Sequence, residues 1–171
     1  MTLQDRCRRI ELLIVDVDGV LTNGGIIYSD NDVELKVFHV RDGSGLKLWQ
    51  MSGKRSAILS GRSAKMVDIR AAEVGVSQVI QGAADKVPAF QQLLQGLAPE
   101  QACYVGDDLP DLPVLSRSGL AVAVADACPE VIAAAHYVTR AAGGRGAVRE
   151  TIELILSAQG LWQGCVARFR N

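Results

Sequence analysis

The sequence predicts an α/β domain with an open, mostly parallel sheet flanked by helices. The first observation is that short apolar runs alternate with stretches of helical periodicity along the 171 residues. The second is that several of these runs are apolar throughout, which is typical of parallel strands covered on both faces. The third is the length, which suffices for one domain with one core and leaves no room for a large second domain.

The predicted elements follow one another in strand–helix order. The runs predicted as strands are Leu12–Val15, Ser56–Leu59, Gln78–Ile80, Ala102–Val105, Leu120–Val124 and Tyr137–Thr139. Ser63 is predicted to cap a helix that ends at Gly75, and Asp85 is predicted to cap the next helix. Apolar residues at helical spacing predict a last helix over about residues 147–158.

One stretch, Ile26–Val40, interrupts this alternation. Its centre, Ser29–Asp32, has strong turn composition, and apolar and charged residues alternate from Val33 to Val37. We therefore expect an inserted β-hairpin over about residues 24–41. A lone hairpin is marginally stable in water, so it should lean on the domain or on another subunit. The tail, about residues 160–171, lacks clear periodicity and is expected to be mobile or docked on a partner.

Composition and charge exclude several classes of protein. Lysine plus arginine number 18 and aspartate plus glutamate 19, a balance that argues against a nucleic-acid binder. Aromatic residues make up 5% of the chain, too few for base-stacking platforms. No apolar run approaches the roughly 20 residues of a membrane-spanning helix. The four cysteines are scattered without a CxxC pair, as expected for reduced thiols in the cytoplasm.

Carboxylates follow two of the predicted strands. Asp16 and Asp18 come after the first strand, and Asp107 comes after the fourth. Ligands of open α/β sheets bind beyond the carboxyl ends of the strands, so these side chains should meet at one edge. Converging carboxylates repel one another unless a cation lies between them, and their hard oxygens favour Mg²⁺. Asp16 and Asp107 are the candidate side-chain ligands, and the backbone carbonyl of Asp18 is a candidate third.

The same edge carries the groups needed for phosphoryl transfer. Asp16 is a candidate nucleophile, and Asp18 is placed to protonate the leaving oxygen and later to deprotonate water. Ser60 and the backbone N–H of Gly61 could hold phosphate oxygens, and Lys86 could offset negative charge. Each element alone also fits a turn, a helix cap or a solvated charge. Their occurrence together, each after a strand, favours catalysis.

The motif set resembles the haloacid dehalogenase-like phosphatases. The segments that carry the resemblance are Asp16–Thr22, Leu59–Arg62, Lys86, Gly106–Asp108 and Asp111. Two further stretches, Asp32–Gly45 and Gly143–Glu150, are similar to one branch without a large cap domain. That branch is the family of 3-deoxy-D-manno-octulosonate 8-phosphate (KDO 8-phosphate) phosphatases.

The resemblance implies a Rossmann-like domain and an activity. Enzymes of this family use Mg²⁺ to hydrolyse KDO 8-phosphate to KDO and phosphate in the cytoplasm. The KDO is then used for lipopolysaccharide synthesis. The resemblance implies that Asp16 is the nucleophile and that Asp18 is the general acid and base. It also implies that the metal is bound by Asp16, Asp18 and Asp107, and that Asp111 contacts the metal through water. It also implies a homotetramer in which the hairpins meet at the centre and the C-terminal region of one subunit covers a neighbour's site.

Arginines are the expected partners of a substrate that carries both a phosphate and a carboxylate. The candidates are Arg62, Arg140, Arg145 and Arg149, because the planar guanidinium suits both anions. For Arg140 and Arg149 an ordinary surface or ion-pair role is an equal alternative.

Two alternative functions also fit the sequence. One is a phosphatase of a nine-carbon sugar-acid 9-phosphate, such as a sialic acid phosphate. The other is a non-catalytic oligomerisation module. The presence of Asp16, Asp18, Lys86 and Asp107 speaks against the second alternative, since a decayed site would be expected to lack at least one of them.

Overall fold

The computed structural model describes residues 1–31 and 33–170. Its strands are β1 (Leu12–Val15), β2 (Ile27–Tyr28), β3 (Glu34–Leu35), β4 (Arg55–Leu59), β5 (Gln78–Ile80), β6 (Ala102–Gly106), β7 (Leu120–Ala123) and β8 (Tyr137–Val138). Its α-helices are α1 (Leu3–Arg9), α2 (Val40–Met51), α3 (Lys65–Val74), α4 (Lys86–Leu94), α5 (Leu112–Leu115), α6 (Pro129–Ala134), α7 (Ala147–Ala158) and α8 (Trp162–Ala167).

A parallel sheet forms the centre of the domain. Within the described residues its strand order is β5-β4-β1-β6-β7-β8. The register pairs Val15 of β1 with Ile58 of β4 on one side and with Val105 of β6 on the other. The chain therefore builds one half of the sheet outward from β1, then returns to β6 on the other side of β1. This reversal creates a crevice at the carboxyl end of β1, which confirms the predicted fold class.

The apolar strands are buried on both faces. Every residue of β1 and β7 is fully buried, as the uniformly apolar runs predicted. Helix α7 packs along α2 and α1, and α5 packs against both α4 and α6. This enclosed sheet gives the loops at its carboxyl edge a rigid base.

Most of the predicted helix signals are confirmed. Asp85 caps α4 by accepting a hydrogen bond from the Val87 N–H at 2.9 Å, and Gly75 ends α3 with a φ of +80°. The prediction that Ser63 caps α3 is wrong, because Ala64 occupies the capping position. The side chain of Gln81 accepts from the Ala64 N–H at 2.8 Å and so pairs the backbone N–H of the capping residue.

Helix α2 was not predicted from the sequence. Its interior contains Gly43 and Gly45, and glycine disfavours a helix by about 1 kcal/mol relative to alanine. Packing overrides this preference. A Cβ at Gly45 would lie 3.1 Å from the Cδ of Arg149, so the glycine lets α2 and α7 approach closely.

The inserted hairpin is present and short. Ile27–Tyr28 pairs antiparallel with Glu34–Leu35, and α2 already begins at Val40. The predicted turn includes Asp32, which lies outside the described residues. Part of the tail forms α8, and its Cys165 side chain is buried against the domain. No helix among the described residues is long and apolar enough to cross a membrane.

A buried aspartate joins the two stretches that carry the closer family resemblance. Asp42, which is 1% exposed, accepts hydrogen bonds from the Gly146 N–H at 3.1 Å and the Arg149 N–H at 2.8 Å. Gly146 precedes α7 and has no side chain to cap it. Asp42 at the start of α2 therefore caps α7 from a distant part of the sequence.

We expect Asp42→Asn to lower the free energy of unfolding by about 1–3 kcal/mol, because the amide nitrogen cannot accept a hydrogen bond and leaves a buried N–H unpaired. Urea denaturation measures the change. Glu130→Gln, on the exposed first turn of α6, is the control and should shift stability by less than about 0.5 kcal/mol. Equal effects of the two substitutions would contradict the capping role.

Candidate active site

Asp16 lies directly beyond the central strand β1. Its backbone N–H donates to the carbonyl of Val105 at 3.1 Å, which extends the pairing of β1 with β6 by one residue. Its Oδ1 accepts from the Val17 N–H at 2.7 Å, and this bond fixes the orientation of the carboxylate. Burial raises the pKa of Asp16 to about 6, against the lowering effect of Lys86.

Lys86 is buried at the start of α4 and reaches under the carboxylates. Its Nζ donates to Asp16 Oδ2 at 2.8 Å and to Asp111 Oδ1 at 2.7 Å. It also lies 3.3 Å from the hydroxyl of Tyr104. Although burial lowers the pKa of Lys86, Asp16 and Asp111 raise it above its ordinary value. The ammonium therefore stays charged and compensates part of the negative charge at the edge of the sheet.

Asp111 uses both of its carboxylate oxygens in contacts with the protein. Oδ1 accepts from Lys86 and from the hydroxyl of Tyr104 at 2.6 Å. Oδ2 accepts from the backbone N–H groups of Asp107 at 2.9 Å and Asp108 at 3.2 Å. Asp111 thus fixes the loop that carries Asp107 and holds Lys86 in place.

Asp107 lies against the turn that follows Asp16. Gly19 in that turn has a φ of +88°, and a Cβ there would lie 1.9 Å from Asp107 Oδ2. Only glycine suits both the backbone conformation and the close approach. Burial, followed by repulsion from Asp16 and Asp111, raises the pKa of Asp107 to about 8.

The carboxylates fit a divalent cation. One oxygen each from Asp16, Asp107 and Asp111 lies within 4.8 Å of the others. Among residues 1–31 and 33–170, Asp107 Oδ1 is buried without a hydrogen-bond partner. Lys86 alone does not balance three carboxylates, and hard oxygen donors prefer Mg²⁺. The fold therefore brings the predicted side-chain ligands Asp16 and Asp107 close enough to bind the same ion.

The predicted phosphate-binding residues line the same cleft. A cleft of about 210 Å³ contains Asp16, Asp18, Lys86 and Asp107 together with the loop Ser60–Arg62. Ser60 is buried at the end of β4, and its Oγ accepts from the Arg62 N–H at 3.3 Å. Gly61 and Arg62 are exposed at the mouth of this cleft.

The hairpin contributes charges beside Asp18. Lys36 Nζ donates to Asp18 Oδ1 and forms an ion pair with Glu34 at 2.8 Å. Arg62 in turn donates to Glu34 Oε2 at 3.0 Å, and its Nε lies 3.6 Å from Asp18 Oδ2. Asp18 is thus held between a hairpin residue and an active-site loop residue.

The other predicted arginines lie apart from the carboxylates. Arg140, Arg145 and Arg149 line a second cleft of about 360 Å³, together with Arg41. Arg140 pairs with Glu150 at 3.4 Å, and Arg149 pairs with Glu153 at 2.6 Å. The Gly144 N–H donates to Val20 O at 2.8 Å, so the loop that carries Arg145 is fixed to the turn after Asp16.

Sequence reasoning missed Tyr104 and Lys36. Tyr104 offered a signal, because a hydroxyl in the otherwise apolar strand β6 needs a buried hydrogen-bond partner. In the sequence, Lys36 stands out only as part of a family-specific segment. Its contact with Asp18 depends on how the hairpin folds back, and the local sequence does not reveal that.

Comparisons with known proteins agree with this geometry. The sequence profile of the haloacid dehalogenase-like hydrolase family matches residues 56–151. The 3-deoxy-D-manno-octulosonate 8-phosphate phosphatase of Escherichia coli K12 is 52% identical over 157 residues, 91% of this chain and 84% of that protein. The chain is a haloacid dehalogenase-like hydrolase of the KDO 8-phosphate phosphatase family. The resemblance found in the sequence is confirmed.

Solved structures of KDO 8-phosphate phosphatases have the same fold. That from Moraxella catarrhalis, in complex with magnesium ion, phosphate ion and KDO, has a TM-score of 0.96 and 42% identity, and the match covers 98% of this chain and 97% of that one. The cobalt-bound phosphatase from Haemophilus influenzae has a TM-score of 0.89 and 40% identity, with 92% and 93% covered. Both relatives hold a divalent metal, as the carboxylate cluster predicts for this member of the family.

We expect Mg²⁺ to raise the melting temperature of the wild type and Asp107→Asn to abolish that shift. At 100 times its Kd a bound ion stabilises the folded state by about 2.7 kcal/mol. Without Mg²⁺ the variant should be no less stable than the wild type, because one of three repelling carboxylates is gone. Thermal unfolding with and without Mg²⁺ measures both effects.

Asp68→Asn, on the exposed surface of α3, is the matched control and should keep the full Mg²⁺ response. An undiminished Mg²⁺ shift in Asp107→Asn would rule out Asp107 as a ligand.

Proposed function

We propose that this chain is a Mg²⁺-dependent phosphatase that hydrolyses KDO 8-phosphate to KDO and inorganic phosphate. The observation that carries the proposal is the cluster of buried Asp16, buried Lys86 and half-buried Asp107 at the end of the central strand. The magnesium, phosphate and KDO of the Moraxella catarrhalis relative support the substrate. We place the reaction in lipopolysaccharide precursor synthesis in the cytoplasm, as the family resemblance implies.

The reaction proceeds in two steps on Asp16. An oxygen of its carboxylate forms a bond to phosphorus while the bond from phosphorus to the sugar oxygen breaks, and Asp18 gives its proton to that oxygen. Asp18, now a carboxylate, takes a proton from the water that attacks phospho-Asp16, which releases phosphate and restores the carboxylate of Asp16 and the protonated form of Asp18. Lys86 stays protonated and offsets the charge on Asp16 and the phosphoryl group.

The metal and substrate contacts follow the sequence prediction. Mg²⁺ would be held by Asp16, Asp107 and the backbone carbonyl of Asp18, and it would supply positive charge beside the phosphoryl group. Asp111 would reach the ion through water. Ser60 and the Gly61 N–H hold phosphate oxygens, and their position in the cleft of Asp16 supports this role.

The arginines have separate parts in the proposal. Arg62 lies at the mouth of the carboxylate cleft and contacts the substrate there. The neighbouring cleft is lined by Arg140, Arg145 and Arg149. These arginines bind or attract the carboxylate of the doubly anionic substrate.

We further propose that the working enzyme is a homotetramer. The hairpin exposes apolar side chains that a two-stranded sheet cannot cover by itself: Ile26, Ile27, Tyr28, Val33, Leu35 and Val37. Such a patch favours association, and copies of the same hairpin provide a matching surface. The neighbouring subunits, through hairpin and C-terminal region, then complete each active site and limit the access of water.

We expect wild-type protein with Mg²⁺ to release phosphate from KDO 8-phosphate with a higher kcat/KM than from a nine-carbon sugar-acid 9-phosphate. A phosphate-release panel with and without Mg²⁺ measures this. Faster turnover of the nine-carbon ester would change the substrate assignment. Inactivity on every sugar phosphate would favour a non-catalytic assembly module.

In the same panel we expect Asp16→Asn to lower kcat by at least about 10³-fold, because the amide is not a nucleophile. Circular dichroism should show that the variant is folded. Substantial turnover by this variant would exclude Asp16 as the nucleophile.

We expect Ile27→Asp to convert the tetramer into smaller species, because it buries charge at the proposed hairpin interface. Light scattering after size-exclusion chromatography measures the mass. Ile69→Asp is the matched control, since Ile69 on α3 is 51% exposed and Ile27 is 48% exposed. An unchanged mass for Ile27→Asp would contradict the assignment of the interface to the hairpin, and a fully active wild-type monomer would contradict the tetramer.

A further inference from the structure

Lys36 is a buried charge in a segment that is otherwise largely exposed. Its side chain is 2% exposed although the residue as a whole is half-buried, and the neighbours Leu35 and Val37 are exposed. Lysine is almost never buried to this extent unless it is paired. The contacts of Lys36 therefore account for its position, and they lead to the active site.

The partners of Lys36 form a closed network of two cations and two carboxylates. Lys36 pairs with Asp18 and with Glu34 at 2.8 Å. Arg62 bonds Glu34 at 3.0 Å, and its Nε lies 3.6 Å from Asp18 Oδ2. Both cations thus face Asp18, and Glu34 bridges them from the hairpin.

The network makes the two oxygens of Asp18 different from each other. Oδ1 is taken by the ammonium of Lys36. Within the part of the chain that the structure describes, Oδ2 is buried and has no hydrogen-bond partner. An acid or base must present one oxygen to the reacting atom within hydrogen-bond reach, and small displacements are costly. A carboxylate fixed at Oδ1 keeps Oδ2 in one place.

We propose that Lys36 is a positioning residue that holds Asp18 so that Oδ2 carries the proton to and from the reacting oxygens. This inference rests on the proposed function, in which Asp18 is the acid and base. Lys36 acts through Asp18, because its ammonium is buried against that carboxylate and Glu34. The competing interpretation is that the ion pair only attaches the hairpin to the domain.

The leaving group separates these two interpretations. The alkoxide of a sugar phosphate needs a proton as it leaves, whereas p-nitrophenolate leaves without one. A misplaced acid therefore slows the first cleavage of the sugar ester and spares that of p-nitrophenyl phosphate. The first turnover is the right measurement, because the later attack of water needs Asp18 with either ester.

We expect Lys36→Met to lower the first-turnover rate on KDO 8-phosphate by about 10- to 100-fold, within the range that a general acid contributes. Its KM should stay near the wild-type value. Its first release of p-nitrophenolate, followed by stopped-flow absorbance, should change by less than about threefold, because that step needs no acid. Lys36→Arg should recover most of the rate on the sugar ester, because the guanidinium can also donate to Oδ1.

Lys54→Met is the matched control for the loss of a buried, paired lysine. Lys54 is 7% exposed and pairs with Glu11 at 3.0 Å before β1, at the opposite edge of the sheet. We expect it to lower stability and leave both first-turnover rates unchanged. Thermal unfolding and light scattering of each variant identify losses caused by unfolding or by altered assembly.

The outcomes separate the inference from the function on which it rests. If Lys36→Met cleaves the sugar ester at the wild-type rate, or loses the same factor on both esters, the positioning role is overturned. Activity of the wild type on KDO 8-phosphate would still uphold the proposed function. A wild type that cleaves p-nitrophenyl phosphate but no sugar-acid phosphate overturns the proposed function instead. A wild type without activity on either ester overturns both.

Discussion

The pairing of Lys86 with buried carboxylates is the interaction on which the rest of the site depends. Burying an ionised carboxylate without a partner is costly, and the central edge of this sheet holds three. Lys86 bonds two of them directly, Asp16 at 2.8 Å and Asp111 at 2.7 Å. One ammonium cannot balance three negative charges. Burial, and then repulsion from Asp16 and Asp111, raises the pKa of Asp107, and a divalent cation between the carboxylates would offset that repulsion.

This cluster exists only because of the sheet topology. Asp16 follows β1 and Asp107 follows β6, which are adjacent strands although they lie far apart in sequence. Lys86 reaches Asp16 from α4, which follows the edge strand β5. The close approach of Asp107 to Gly19 then leaves no space for any side chain in that turn. The strand order, Gly19 and the start of α4 thus all contribute to one arrangement of charges.

The sequence predicted the parts of this protein whose signals are local. Short runs rich in β-branched residues located β1 and β5 at their observed bounds, and helical spacing located α7. Helix α2 was missed because Gly43 and Gly45 weaken its local preference, and the compensating contact with α7 is a tertiary one. The same distinction holds at the site. Because ligands bind beyond the carboxyl ends of parallel strands, the sequence predicts that the carboxylates lie at one edge of the sheet. It does not predict that both oxygens of Asp111 form hydrogen bonds with other parts of the protein.

In the proposed enzyme, the hairpin takes part both in the association of subunits and in catalysis. Its strands expose Ile27 and Leu35, whereas Lys36 at its base is buried against Asp18. An isolated hairpin loses much conformational entropy when it is ordered, of the order of 1–2 kcal/mol for each residue's backbone. In the proposed homotetramer, packing of the apolar strands against other copies would offset that loss. Lys36 could then hold Asp18 firmly, so the proposed proton donor would be fixed by the assembly of the subunits.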